Sequence, residues 1–416
     1  MLRSFFFKSF CLFFCAGTAL GQTGRLVVQN NSGVSRQQDP VVITRDILES
    51  FVSIPDGDKV LVLNEKVGKI PAQLDDVNGD GRWDELVFMI DIERNSRKEI
   101  KLKWVDKEDA PVYPGRTQAR LGISEKPGAP FQPVSKEIRP ETGRTTRRYQ
   151  MDGPCWENDK VAFRYFFDNR NISDIFGKTR PGLIADSLGT FLPDFFKLQP
   201  WGMNILEVES TLGAGGIAMM DKGIPVPLRQ TGTAMYRLLA SGPVRSVIEI
   251  THEGWKAGGQ TYNVRQRISL YAGKYWFKNE VMVSGFTGER ELAVGLAALK
   301  NSKPPTYTTN NLVYSSLVTH SRQSRNQDLL GLGLLFRSSV FKGYGQTPSY
   351  NPLPAADTLS HTQYARLRIR SGELTEYQCF AGWEKSESRF SSLRYFLDLI
   401  QEEADRREFP LQLLAR

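Results

Sequence analysis

Two stretches of apolar and polar alternation, joined by a short turn, constrain this chain more than any other feature. Tyr262, Val264, Ile268 and Leu270 alternate with Arg265 and Arg267. After Ala272-Gly273-Lys274, Tyr275, Phe277, Val281 and Val283 alternate with Lys278 and Glu280. A period of two puts every second side chain on one face of a strand, so the pair predicts an antiparallel hairpin, apolar on one side and charged on the other. Val161, Phe163, Tyr165 and Phe167 repeat the pattern, with Arg164 and Asp168 on the opposite face. Such a sheet packs its apolar side on a second sheet and offers its charged side to a ligand.

The expected architecture is therefore mainly β. Val60-Leu61-Val62-Leu63 and Leu86-Val87-Phe88-Met89-Ile90 flank a segment rich in Asp and Gly, which predicts a small N-terminal β-sandwich over residues 22–110. Residues 111–146 are rich in Pro, Gly, Arg and Lys without a sustained period and read as a surface linker, leaving 147–416 as a larger sandwich domain. One helix stands out near the end. Leu393, Phe396, Leu397 and Ile400 recur at helical spacing after the capping candidates Ser391 and Ser392, and Glu402 with Arg406 and Glu403 with Arg407 support it.

Residues 1–21 read as an export signal: Arg3 and Lys8, an apolar run from Phe10 to Leu20, then Ala19-Leu20-Gly21 as a cleavage box. The run is shorter than the roughly 20 residues that span a bilayer, and no later run matches it, so a periplasmic or secreted location without a membrane span is expected. Losing Arg3 and Lys8 lowers the formal charge from +8 to +6. No concentrated basic stripe suggests nucleic acid, whereas acidic oligosaccharides suit an exported protein with a modest positive balance. Cys155 and Cys379 would be the only mature cysteines, either paired or as two buried thiols.

Several clusters could carry chemistry. Asp76, Asn78, Asp80 and Asp84 space side-chain oxygens around Gly79 and Gly81 as calcium loops do, with a metal-free hairpin turn as the alternative. Any such ion would be structural, and no cofactor is required. Trp156, Glu157 and Asp159 precede the strand bearing Arg164, and an aromatic face with carboxylates suits sugar binding; a buried Trp with ion pairs is the other reading. Leu212-Gly213-Ala214-Gly215-Gly216 has no Lys-Ser or Lys-Thr ending, so close backbone packing explains its glycines better than a phosphate site. Of the three histidines, His361 is the best candidate because it precedes a strand leading toward Gly382-Trp383-Glu384.

Taken in order, Gln73-Leu74-Asp75-Asp76, Asp80-Gly81, Asp84-Glu85-Leu86, Trp156 to Val161, Asp174 to Lys178, Trp201-Gly202-Met203, Leu212 to Gly216 and Ala381 to Glu384 resemble the family catalogued as domain of unknown function 4861. The resemblance spans most of the chain. It implies an exported bacterial protein associated with polysaccharide breakdown, a large β-supersandwich similar to galactose mutarotase, and a relative that dehydrates uronic-acid ends of ulvan oligosaccharides. Eliminating water from a uronic acid needs a base for the C5 proton, positive charge on the carboxylate and an acid for the leaving hydroxyl. On that footing Arg164 and Lys178 would hold the carboxylate, while His361 or Glu157 would take the proton. Tyr165 could donate one, against its place on the apolar strand face. Trp156, Asp159, Asp174, Trp201, Trp383 and Glu280 would line the sugar, which would lie along the charged sheet face between Trp156 and Trp201. Where the family pattern has a Tyr-His pair, this chain has Phe195-Phe196-Lys197, and Asn204 stands where relatives often carry Asp; if that pair is the acid or base in relatives, the role has either shifted to Lys197 or His361 or the reaction has been given up. Two other readings stand beside a lyase or dehydratase: a glycan-binding protein without turnover, and a glycoside hydrolase using Glu157 and Glu280.

Overall fold

The computed structural model describes residues 23–126, 128–139, 148–190, 192, 194–301, 303–349 and 358–415. The expected signal segment, with Cys11 and Cys15, lies outside the described residues. The alternation at 262–283 forms two central strands, Gln260–Tyr271 and Trp276–Ser284, paired with Arg267 opposite Glu280 and Ile268 opposite Asn279. They belong to a nine-stranded antiparallel sheet. Arg245–Ala257, Ala234–Ser241 and Lys136–Arg139 follow on one side, and Leu374–Trp383, Leu330–Arg337, Tyr314–Ser321 and Thr306–Thr309 on the other.

Two sheets cover its apolar face. One is six-stranded and contains Thr117–Ile123, Cys155–Asn158, Val161–Tyr165 and Ser173–Lys178; the other is five-stranded and contains Ala214–Asp221, Glu289–Ala297 and Thr362–Arg370. A single core draws Phe163 and Ile175 from the first, Ile217 and Val294 from the second, and Ile268, Phe277 and Leu334 from the large sheet. Burying each such side chain contributes about 1.5–3 kcal/mol, so this core is the main source of cohesion. The molecule is the expected mainly β sandwich of large sheets with a smaller sandwich and a C-terminal helix.

The small sandwich pairs a five-stranded and a three-stranded sheet around Leu26, Ile43, Leu63, Phe88 and Trp104. Its outer strand comes from the far end of the chain: Gln412–Ala415 pairs with Thr23–Asn30, placing Leu414 opposite Val27. Gln73 and Asp75 fasten it to the large sheet. Gln73 Oε1 accepts from the amides of Val244 at 2.8 Å and Arg245 at 2.9 Å, and Asp75 Oδ2 accepts from Arg245 Nε at 2.9 Å and Nη2 at 2.6 Å.

The helix spans Leu393–Glu408, and Ser392 Oγ accepts from Tyr395 N. Phe396 and Ile400 press onto Gly331 and Gly333, where a Cβ would lie only 2.7 Å from either side chain. The segment 111–146 is not simply a linker. It carries Thr117–Ile123, Gln132–Val134 and Lys136–Arg139, and Ala119 pairs with Trp156 inside the six-stranded sheet. Thr117, Ala119 and Leu121 do alternate inward, yet two of the three are small or polar, so the period is faint in sequence. Cys155 and Cys379 are separate, buried thiols. Among the described residues no helix is long and apolar enough to cross a membrane.

Candidate functional site

Six of the expected site residues, Glu157, Asp159, Arg164, Asp174, Lys178 and Trp201, belong to a structural hub on the outer face of the six-stranded sheet. Arg164 and Asp174 sit opposite each other in register, both buried. Arg164 Nε donates to Asp174 Oδ1 at 3.0 Å, its Nη2 to Oδ2, and its Nη1 to the Met151 carbonyl at 3.1 Å. Asp174 also accepts from Asn204 Nδ2 at 2.6 Å. Lys178 is equally closed in: its ammonium donates to Glu157 Oε2, to the Asn158 carbonyl at 2.6 Å and to the Gly182 carbonyl at 2.6 Å. Glu157 Oε1 in turn accepts from the amides of Ile184 and Ala185 at 2.8 and 2.6 Å. Asn158 Nδ2 donates to the carbonyls of Tyr271 and Lys274, and Asp159 Oδ1 accepts from Gly273 N at 2.7 Å. The Trp156 to Lys160 block thus pins the central hairpin's turn and the loop beneath Ile184.

These placements correct the expectation of a sugar along this face. Ala162, Phe176, Phe195 and Trp201 form one buried cluster there with Ala185 and Leu188, so the chain itself covers the strands. Trp156 faces the other way, into the main core against Phe163 and Phe277. Trp383 is buried, donating to Asp328 Oδ2 at 3.3 Å, and lies against Gly177, where a Cβ would come within 2.4 Å of its ring. The charged face of the nine-stranded sheet does exist, half-buried and ion-paired: Glu249 bridges Arg237 and Arg267, and Lys278 pairs with Glu280 at 3.1 Å. Glu157 and Glu280 therefore lie on opposite outer faces of the sandwich. Facing sheets stand about 10 Å apart, and both side chains point away from the space between them, so the two carboxyls cannot flank one glycosidic bond.

Lys197 is exposed and pairs with Asp194 at 3.0 Å. His361 immediately precedes the strand Thr362–Arg370 of the five-stranded sheet, with Nδ1 3.2 Å from Ser360 Oγ. The oxygens of the 76–84 loop serve its own amides. Asp76 accepts from Gly79 and Gly81, Asn78 Oδ1 from Asp80 N, Asp80 from Arg82, and Asp84 from Val77 and Asn78, at 2.6–3.0 Å. Among the described residues no group of three or more His, Cys, Asp or Glu is arranged to hold a metal ion. The glycines at 213 and 216 are packing glycines, as expected: a Cβ would lie 2.2 Å from the carbonyl oxygens of Ser173 and Leu212 respectively.

A cluster of polar side chains that the sequence did not reveal lies between the sheets. Gln266 and Asn279 occupy inward positions, each flanked by apolar side chains two residues away on its strand. Asn279 Nδ2 donates to Gln266 Oε1 at 3.0 Å and to Tyr377 Oη at 2.8 Å. Gln266 lies beside the phenol of Tyr165, and Tyr165 Oη is 2.9 Å from His252 Nε2. Arg139 completes this polar seam, with Nη2 3.4 Å from both Asn171 Oδ1 and Thr231 Oγ1. Arg139 Nε and Nη1, His252 Nδ1 and Asn279 Oδ1 are all buried without a hydrogen-bond partner. Buried polar atoms are rarely left unpaired, and such a gathering on adjoining residues marks a place for water or ligand.

Burial, and then the charge of Arg139, hold the His252 imidazole down at about 3 against an ordinary 6.5. Burial pushes the Tyr165 phenol well above its usual range. A neutral imidazole therefore touches a protonated phenol, beside a guanidinium with free donors. The nearest pocket, of about 220 Å³, is lined by Asn169, Arg229, Gln230, Thr231, Gly254 and Lys256, and touches the seam at Thr231, which lies 3.4 Å from Arg139 Nη2. The available signal in the sequence was the interruption itself, a Gln and an Asn at inward positions of otherwise apolar strand faces.

A model of the family described as "Domain of unknown function (DUF4861)" matches residues 28–413. "Uncharacterized protein P7" of Formosa agariphila is 22% identical over 369 residues, covering 83% of this chain and 81% of that protein. An alpha-mannosidase from Enterococcus faecalis V583 aligns with 95% of this chain at a TM-score of 0.43 and 8% identity, and 46% of that enzyme is covered. A glycosyl hydrolase family 38 protein from Enterococcus faecalis gives the same score and identity over 47% of its length. The chain thus spans about half the length of either solved structure.

Two outcomes follow from this geometry. Arg164→Ala should cost about 3–5 kcal/mol in urea unfolding, because it strands the buried Asp174 carboxylate, while Arg164→Met combined with Asp174→Leu should recover most of the loss. Second, unfolded His252 takes a proton below pH 6.5 while the native imidazole does not until about 3. Its contribution is intact above 6.5 and declines as pH falls through that window, by up to about 1.4 kcal/mol per unit. His252→Gln should flatten the pH dependence of urea stability there, and parallel curves for both proteins would contradict the assignment.

Proposed function

The chain belongs to the family described as domain of unknown function DUF4861, and on that footing we propose that it is an exported carbohydrate-active protein that eliminates water or an alcohol from uronic-acid-containing oligosaccharides. One observation carries this reading: a buried, hydrogen-bonded Tyr165–His252 pair beside Arg139, whose Nε and Nη1 have no partner. Support for an acidic glycan partner comes from that guanidinium together with the cationic rim formed by Arg229 and Lys256. The export signal at residues 1–21 supports a periplasmic or secreted location.

Each group has a role that its environment favours. A carboxylate arriving past Thr231 would meet Arg139, whose charge stabilises the enolate formed when the C5–H bond breaks. With Nε2–H donating to the phenol oxygen, His252 Nδ1 keeps a free lone pair for the C5 proton, and Tyr165 keeps its O–H for the leaving oxygen. The C4–O bond then breaks, its electrons leave on oxygen, and water or an alcohol departs as the C4–C5 double bond forms in conjugation with the carboxylate. Binding of the anion to Arg139 also removes the positive charge that weakens His252 as a base.

Glycan binding without turnover is the second reading, and a specific observation favours it. Phe195 and Phe196 occupy the place of the Tyr-His pair expected from the family pattern. There Phe195 packs on Phe176, while Arg325 lies over the Phe196 ring at 4.8 Å.

The test uses uronic oligosaccharides, following ultraviolet absorbance of the conjugated double bond together with new reducing ends. Absorbance without new ends is expected for dehydration, and both signals together for chain cleavage with an alcohol leaving. Tyr165→Phe and His252→Gln should each lower the rate by at least about 100-fold, whereas Lys197→Ala and His361→Ala should leave it intact. Silence in both channels with calorimetric binding would establish the second reading, and undiminished turnover by Tyr165→Phe would remove the seam from the mechanism.

A further inference from the structure

A second place where polar atoms are left unmatched lies on the far side of the large sheet, away from the seam. There a cleft of about 430 Å³ opens between the small sandwich, the nine-stranded sheet and the end of the C-terminal helix. Cavities of about 300–1,000 Å³ at domain junctions are of the size that holds small organic ligands. Its lining mixes two chemistries. Pro40, Val41 and Val42 from the small sandwich, Trp276 from the sheet, and Leu411 and Leu413 from the final segment are apolar. Arg36, Lys278, Arg337, Arg406 and Arg407 are cationic, against the two lining carboxylates of Asp39 and Glu403.

The carboxylates do not saturate these cations. Arg36 is fully engaged, with Nη1 2.7 Å from Asp39 Oδ2, and Arg407 Nη1 reaches Glu376 at 2.8 Å. Arg406 is held loosely: its closest carboxylate contacts are 3.4 Å to Glu402, 3.9 Å to Glu403 and 4.0 Å to Asp39. Arg337 lies 3.8 Å from Glu376, and its side chain is 51% exposed. Arg406 Nε is buried without a hydrogen-bond acceptor, whereas Arg407 Nε lies 3.5 Å from Glu403. Burial, and then the nearby Arg406, also pull the Lys274 ammonium below its ordinary value, as crowding of like charge does.

We propose that this cleft binds an amphipathic organic anion, a small molecule with an apolar body and a carboxylate or comparable anionic head. The head would sit between Arg406 and Arg337, and the body against Val41, Val42 and Leu411. Because both Arg36–Thr44 and the segment ending in Gln412–Ala415 contribute wall, an occupant would also brace the small sandwich against the large sheet. The proposal is independent of the sugar chemistry assigned to the seam.

Calorimetry on the full folded protein tests it with three probes: 4-phenylbutyrate, the uncharged 4-phenylbutyramide and butyrate. Saturable one-to-one binding of 4-phenylbutyrate is expected, with the amide and butyrate each at least about tenfold weaker, a difference of about 1.4 kcal/mol. Arg337→Glu should weaken 4-phenylbutyrate by at least about tenfold while leaving thermal melting and the elimination assay unchanged, since that side chain is half exposed. Equal affinity for the amide would overturn the anionic head, and equal affinity for butyrate the apolar body. Absence of binding by 4-phenylbutyrate at about 10 mM, or an unaffected Arg337→Glu protein, would overturn the site itself.

Discussion

Every polar atom that a close-packed sandwich buries must find a partner, and this constraint sorts the residues of the chain into two kinds. Glu157, Asn158, Arg164, Asp174 and Lys178 are polar, buried and fully engaged with one another or with backbone. They look catalytic by type, yet their donors and acceptors are already committed to holding the hairpin turn and the loop near Ile184. Arg139, His252 and Asn279 are equally buried, but each keeps an atom without a partner. Desolvating such groups costs about 1–3 kcal/mol each, so a seam that leaves several unmatched is stable only where the surrounding core supplies the difference. The large core from three sheets does so here.

The same constraint explains how much was legible in advance. The alternation at 262–283 set the central hairpin, its turn and the charged outer face, and the helical spacing of Phe396 and Ile400 set the terminal helix. Hydrophobic period is a local property and survives in sequence. The site is not local. Tyr165, His252, Arg139 and Gln266 come from strands of two sheets, brought together only by packing across the core. Their trace in the sequence was slight: Gln266 between Val264 and Ile268, and Asn279 between Phe277 and Val281, each a polar residue where the period calls for an apolar one. Trp156 misled for the converse reason. An aromatic next to carboxylates resembles a sugar platform, but strand parity turns the ring inward and the carboxylates outward. The strands within 111–146 were hidden because Thr117 and Ala119 bury little apolar surface, and their partners are distant in sequence.

The family blocks acquire a physical meaning in this light. Gln73 to Asp76 fasten one domain to the other through Arg245, Trp156 to Lys160 lock the central hairpin, and Leu212 to Gly216 allow two backbones to meet. Much of the recognisable sequence therefore maintains the scaffold. The unmatched polar atoms belong to a few inward residues that do not form a contiguous motif, and the protonation state of His252 among them is set by burial first and then by Arg139.

The central claim is that the seam is the proposed anion site, with an imidazole that burial, and then the charge of Arg139, keep neutral. With three histidines in the chain, nitrogen-15 NMR of the imidazoles resolves it directly. The expected His252 signal remains neutral through mildly acidic pH and moves when a uronic-acid oligosaccharide is added, while buried His320, bonded to the Phe390 carbonyl, stays in place. A His252 that titrates near its ordinary value, or one indifferent to saturating oligosaccharide, would contradict it.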